Sequence, residues 1–329
     1  MNGASAPRRL DARSPAGSVR GLAGVTFSTA DLVGLRPRAA GLSLDARLSS
    51  RVGRSGVRLS RLRGRGMEYS ESRIYLPGDD IRRIDWRVTA RTGRPHTKLF
   101  HEERDRPVLF VVDLGEHMRF GTRGAFKSVV AAEAASLLAW AATENGDRVG
   151  GLVLGDGLAA ESRVMGGRRG ALGLFRALAG AGIGTYALAG GGGLEDALAR
   201  ALRVARPGTL VIAISDFSRL RGPAERHLAK LREHNDLLCV WIHDRLEAVP
   251  PPPARYPIGD GRRTATLDTR SGEVVRAVMQ RFEDIETRIT MACERTGAIL
   301  VRIRCGDDVR RVLRQDLTGR LRRRRRRAR

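Results

Sequence analysis

The stretch VLFVVDLGEHM, residues 108–118 of the 329-residue chain, opens with five apolar residues in a row and then breaks at Asp113. A run that short, apolar at consecutive positions and closed by an acid and a glycine, reads as a strand covered on both faces. Beyond the loop, a helix is predicted over about 124–144, where Phe126, Val129, Val130, Leu137 and Leu138 recur at helical spacing and alanines fill the close contacts. RVGGLVL (148–154), TLVIAIS (209–215) and DLLCVWI (236–242) are further buried-strand runs, and helices are predicted at about 170–180, 194–205 and 222–233. RTATLD (263–268) alternates like an antiparallel or edge strand. A long amphipathic helix over 274–297 closes at Gly297, and AILVRIR (298–304) is the last strand. Strands separated by helices at this spacing predict an α/β fold, an open and mostly parallel sheet with helices on both faces.

The charge is unevenly spread. Lys+Arg 60 against Asp+Glu 36 give a formal net charge of +24, yet 1–65 holds 13 arginines against three acids and 310–329 holds 11 against one. The middle, 66–309, is close to balanced. Four regions follow: a basic, partly disordered N-terminal arm (1–65), an unusual segment (66–105) packed on the core, the α/β domain (106–309) and an arginine-rich tail (310–329). Such ends attract nucleic acid, anionic lipid or an acidic protein without choosing among them, and a merely solvated tail has the same composition.

Several function classes lose support. Cys239, Cys293 and Cys305 have no metal-ligand spacing, and no GxxxxGK[ST], HExxH or GxSxG motif occurs. No apolar run approaches the length that spans a bilayer, so a cytoplasmic protein is expected, with the basic tail placed to touch the inner membrane face.

Two acids stand at predicted strand ends, Asp113 after VLFVV and Asp216 after VIAIS. Ligands of open parallel sheets bind outside those ends, and two carboxylates with hydroxyls or waters suit Mg²⁺. Capping of helix N-termini accounts for the same acids. VVDLGEHM and AISDF resemble the corresponding loops of the von Willebrand factor A-type domain. That resemblance implies a metal-ion-dependent adhesion site built on Asp-x-Ser-x-Ser, a threonine from a second loop and an aspartate from a third. Asp113 and Asp216 match the two aspartates, but Gly115 and His117 replace the serines, and the glycines of AGGGGLEDAL (189–198) occupy the threonine region. The site therefore reads as degenerate, with Glu116, His117 and Arg119 forming a loop surface able to hold a partner without metal.

A denser signal lies upstream, in GMEYSESRIYLPGDDIRRIDWRVTARTGRPHTKLFHEER, residues 66–104. Pro77-Gly78 is a turn, and Asp79 or Asp80 is a good N-cap for a short helix running to about Trp86. Arg82 and Arg83 lie close to those acids, Asp85 has basic neighbours, and Tyr75 and Trp86 offer apolar faces. Arginine–carboxylate bridges around a tryptophan are expected to clasp the segment to its domain, whereas catalytic acids need opposed environments. Glu68-Tyr69, Arg73, Tyr75, Pro77 to Asp80, Arg82, Ile84-Asp85-Trp86 and Ala90-Arg91 resemble, in order, the signature of the DUF58 family.

The family resemblance implies a von Willebrand factor A-like core and an adaptor that works with a MoxR-type AAA+ ATPase on a client protein. Two other readings stay open. One is binding of nucleic acid or an anionic surface through the arginine-rich arms, and the other is a Mg²⁺-dependent hydrolase using Asp113 and Asp216.

Overall fold

The computed structural model describes residues 21–44, 67–76, 81, 84–102, 106–155, 158–182, 193–259 and 264–317, with backbone alone at 67–71, 98–102 and 158–159. Two short helices come first, α1 (Thr29–Gly34) and α2 (Arg36–Ala39). Then β1 (Met67–Ile74) pairs antiparallel with β2 (His96–Glu102), and α3 (Trp86–Thr92) lies between them in sequence. The main body alternates β3 (Pro107–Asp113), α4 (Lys127–Glu144), β4 (Arg148–Leu154), β5 (Leu158–Met165), α5 (Gly167–Gly182), α6 (Leu194–Val204), β6 (Leu210–Ser215), α7 (Pro223–His234) and β7 (Asp236–His243). A short α8 (Arg245–Ala248), the separate antiparallel pair β8 (Arg255–Gly259) and β9 (Thr264–Asp268), the long α9 (Gly272–Thr296) and β10 (Ile299–Arg304) complete it.

Six strands form one sheet in the order β10-β7-β6-β3-β4-β5, parallel throughout except that β5 runs antiparallel to β4. The expected α/β sheet is present. The chain builds outward from β3 to β4 and β5 on one side, then returns to β6 on the other. The β3–β6 junction is therefore the topological switch point, where open sheets leave a crevice at the carboxyl ends of the strands.

One face of the sheet explains a helix that no surface position tolerates. Residues 127–142 of α4 are all buried, so the helix is covered on every side. The sheet covers its inner side, and part of its outer side is covered by residues 21–44, whose Phe27, Leu32, Leu35, Ala39, Leu42 and Leu44 join the same core. Ser136 Oγ and Trp140 Nε1 of α4 donate to the Leu32 carbonyl at 2.8 and 3.2 Å, tying the last turn of α1 to α4. Residues 21–44 of the N-terminal arm thus belong to the core. On the C-terminal side, Val309 and Leu313 of the helical segment 309–317 are buried as well. Residues 1–20, 45–66 and 318–329 lie outside the described residues.

In the unusual segment, the expected cap at Asp79 or Asp80 lies outside the described residues. Asp85 caps a helix: its carboxylate accepts from the Val88 amide at 3.2 Å, and α3 starts at Trp86 and ends at Gly93, a left-handed C-cap at φ 70°. Asp85 is buried and also accepts from Ser72 Oγ at 2.8 Å, tying α3 to β1. Trp86 is 70% exposed, so it is not the buried centre of a clasp. Among the described elements, β1, β2 and α3 make their extensive contacts with one another rather than with the six-stranded sheet or its helices. Tyr75 is half-buried, Arg91 is exposed, and Arg73 donates to the Ile74 carbonyl. Glu68 and Tyr69 are placed by backbone alone, and Pro77, Gly78, Asp79, Asp80 and Arg82 lie outside the described residues.

Candidate functional site at the strand ends

Asp113 ends β3 and Asp216 follows β6, so the switch point brings the two carboxylates together as expected. Each is already occupied. Asp113 Oδ1 accepts from the Gly115 amide at 3.1 Å, and its Oδ2 accepts from Ser215 Oγ at 2.7 Å and His117 Nε2 at 3.0 Å. The same His117 Nε2 lies 3.5 Å from Asp216 Oδ1, which also accepts from the Ser218 amide at 2.9 Å. Phe217 makes that turn possible by taking φ 52°, a left-handed conformation unusual for a bulky residue, while its ring is buried in the core.

The other oxygen of Asp216 meets Lys127, the first residue of α4. Lys127 Nζ donates to Asp216 Oδ2 at 2.8 Å and to Glu247 Oε1 at 2.6 Å, and its side chain is 2% exposed. A cation at a helix N-terminus opposes the helix dipole, so the two carboxylates are what hold it there. Glu247 is itself fixed by the capping box of α8, where its Oε2 accepts from the Asp244 amide at 2.8 Å. Asp244 in turn accepts from the Thr122 amide and hydroxyl at 2.9 and 2.7 Å. Three loops are thus joined through one ammonium.

Electrostatics follow the contacts. Burial lowers the Lys127 pKa, but the charges of Asp216 and Glu247 outweigh it and hold the ammonium above its ordinary range. Burial raises Asp216, and the Lys127 and His117 charges with hydrogen bonds from Lys127 and Ser218 outweigh that, leaving its carboxyl below the usual value. His117 is likewise raised: burial pulls it down, while the Asp113 bond and the charges of Asp113 and Asp216 pull it further up.

A divalent ion does not fit this donor set. A side chain at Gly115, where the adhesion-site pattern needs serine, would place its Cβ 2.9 Å from the Gly155 carbonyl and 3.0 Å from the His117 ring. His117 fills the second serine position and bridges both aspartates, and Lys127 takes the remaining oxygen. No group of three or more His, Cys, Asp or Glu among the described residues is arranged to hold a metal. Glu116 and Arg119 are exposed at the rim, but His117 faces inward and is a bridge, not part of an outer loop surface.

His243, the last residue of β7, neighbours this network and titrates oppositely. Its ring packs on Trp241 at 4.9 Å and meets Phe282 at 5.6 Å, and its Nδ1 is buried with no hydrogen-bond partner among the described residues. Burial pushes its pKa down to about 4, with the Asp307 charge opposing in part. The unfolded chain then binds the proton first, so the neutral ring's contribution is present above about pH 6.5 and is lost as pH falls toward 4. His243→Phe keeps the ring contacts and removes the loss. At pH 5 the variant is expected to gain on the order of 2 kcal/mol over wild type relative to their difference at pH 7.5, measured by urea unfolding. Parallel losses in both proteins would contradict the assignment.

The profile of the family described as "Protein of unknown function DUF58" matches residues 71–289, well over half the chain. The chain belongs to the DUF58 family. Curated relatives share a shorter stretch: "Uncharacterized protein Rv1480" of Mycobacterium tuberculosis and "Uncharacterized protein Mb1516" of Mycobacterium bovis are each 40% identical over 98 residues. Those residues are 30% of this DUF58 chain and 31% of each relative. Among solved structures, the conserved hypothetical protein BatB from Bacteroides thetaiotaomicron aligns over 66% of this chain and 99% of its own, at 14% identity and a TM-score of 0.37. An uncharacterized membrane spanning protein from Vibrio fischeri aligns over 63% and 95%, at 18% identity and a TM-score of 0.20. Both scores are too low to bear on the fold. Among the described residues of the DUF58 chain, no helix is long and apolar enough to cross a membrane.

Sequence reasoning missed Lys127, Glu247 and Ser215. Lys127 did leave a signal: with Glu133, it is a charge set in an otherwise uncharged run from 127 to 143. Lysine is almost never fully buried unless paired, so that pattern asks for a carboxylate partner.

Proposed function

We propose that this DUF58 chain is a non-enzymatic protein-interaction module of von Willebrand factor A-like design, working with a MoxR-type AAA+ ATPase on a client protein. The exposure of Trp86 carries the reading. It lies within the family signature, and Ile74, Leu76 and Ile81 of the same short segment are exposed with it. Arg87 and Arg91, one turn apart on α3, and Arg94 just past its end are exposed beside it. Exposed tryptophan and arginine are enriched where proteins bind one another. The complementary surface is an acidic segment of the ATPase with an apolar anchor. The strand-end acids support the same reading, because carboxylates held by internal cations are not poised as an acid–base pair. Strand order, with its antiparallel edge and its acids at the switch point, agrees with the von Willebrand-like design. The reading implies work in the cytoplasm.

Binding of the purified, nuclease-treated chain to the MoxR-type ATPase of the same organism tests it, by fluorescence titration. Trp86→Ala is expected to weaken binding roughly 30-fold, as loss of a central aromatic anchor does, with the unfolding midpoint unchanged because the side chain is exposed. Wild-type binding unaffected by Trp86→Ala would remove this surface from the account. Affinity that appears only with nucleic acid or anionic vesicles would favour the arginine-rich ends instead.

A further inference from the structure

The two aspartates of an adhesion site ordinarily need a dication between their loops, and here their oxygens are taken from within: His117 bridges the pair, and Lys127 takes the second oxygen of Asp216. Lys127 Nζ sits where Asp216 Oδ2 and Glu247 Oε1 converge, at 2.8 and 2.6 Å, with its side chain 2% exposed. His117 Nε2 joins Asp113 Oδ2 to Asp216 Oδ1 at 3.0 and 3.5 Å. Aliphatic carbons of a lysine stem can pack in the core while the ammonium supplies directed donors, which a bound ion does through waters. We propose that Lys127, assisted by His117, is the site's permanent cation: the chain carries covalently the positive charge that a divalent metal supplies in related designs, and removing Lys127 converts the site into one that binds a hard divalent ion.

The proposal accounts for three departures together. Gly115 is small because a Cβ there meets the Gly155 carbonyl and the His117 ring. His117 replaces a hydroxyl ligand because its Nε2 reaches both aspartates, at 3.0 Å from Asp113 Oδ2 and 3.5 Å from Asp216 Oδ1. Lys127 is buried at the head of α4 because three loops need one cation. The loops then keep one arrangement whatever the divalent ion concentration.

Thermal unfolding of the full chain in EDTA, MgCl₂ and MnCl₂ tests it. Wild type is expected to unfold at one temperature in all three. Lys127→Ser leaves Asp216 and Glu247 facing a vacated, hydroxyl-lined position, and millimolar Mn²⁺ is expected to raise its midpoint on the order of 5 °C. Lys127→Met fills the space without charge, and metal is expected to leave its midpoint unchanged. Should Lys127→Ser fail to fold in EDTA, cooperative unfolding regained on refolding with Mn²⁺ supports the proposal, and no recovery counts against it. A wild-type midpoint raised several degrees by either metal overturns it. Equal metal responses of the Ser and Met variants, or no response in a folded Ser variant, also overturn it.

Discussion

Arg38→Ala is expected to remove about 3–5 kcal/mol of stability, the cost of leaving a buried charge without its partner. Arg38 is 7% exposed and donates through Nη1 to Glu133, a residue of α4 that is 3% exposed, and through Nη2 to Asp308 at 3.1 Å. Glu133 also accepts from the Leu22 amide at 2.8 Å, so one carboxylate fastens two points of residues 21–44 to α4. Burial already holds the Glu133 carboxyl above its usual range, against the lowering charge of Arg38. Without the guanidinium, Glu133 must take a proton or draw in water, and either loosens the cover over α4. Arg38→Met combined with Glu133→Leu, which removes both charges at similar volume, is expected to cost little. Urea unfolding with an unchanged slope reads both effects. A single Arg38→Ala cost below about 1 kcal/mol would mean that the pair is solvated and contributes little to holding residues 21–44.

The second large effect is expected at Lys127. Lys127→Met keeps the apolar stem and deletes the ammonium, leaving Asp216 and Glu247 to face each other across a closed space. A loss of about 3–5 kcal/mol at neutral pH is expected, with a pH signature that simple loss of packing lacks. In wild type the raised Lys127 pKa gives a contribution fully present below about 10.5, and lost as pH rises through the higher folded value. The lowered Asp216 pKa gives one present above about 3.8, and lost as pH falls through the folded value. Both slopes should flatten in the variant, so the gap between the two proteins narrows at either extreme. A gap that is constant from pH 3.5 to 11 would assign Lys127 to packing alone.

Legibility in the sequence tracked burial. Strands β3, β6 and β7 are covered on both faces, and their uninterrupted apolar runs announce that directly. Strand β5 gave no such run: it lies at the sheet edge, and LAAESRVM carries Glu161, Ser162 and Arg163 in its middle. In the signature segment Asp79, Asp80 and Asp85 all precede plausible helical positions, and N-cap preference alone does not rank them. Asp85 caps α3 in a frame where its amide donates to the His96 carbonyl at 2.7 Å, a contact set by β2 that local sequence does not contain. The strand-end acids were legible as a pair because each follows an apolar run. Their partners were not, since Lys127 and Glu247 lie 89 and 31 positions away from Asp216 along the chain.

Whether the positive charge between the strand-end acids belongs to the protein is open to direct inspection. A crystal of the wild-type chain soaked in MnCl₂ and measured above the manganese absorption edge would show it. The account predicts no anomalous peak at Asp113, Asp216 or Glu247, the His117 ring between the two aspartates, and continuous density from the Lys127 stem to an ammonium bonded to Asp216 and Glu247. An anomalous peak there, with Lys127 turned aside, would contradict it.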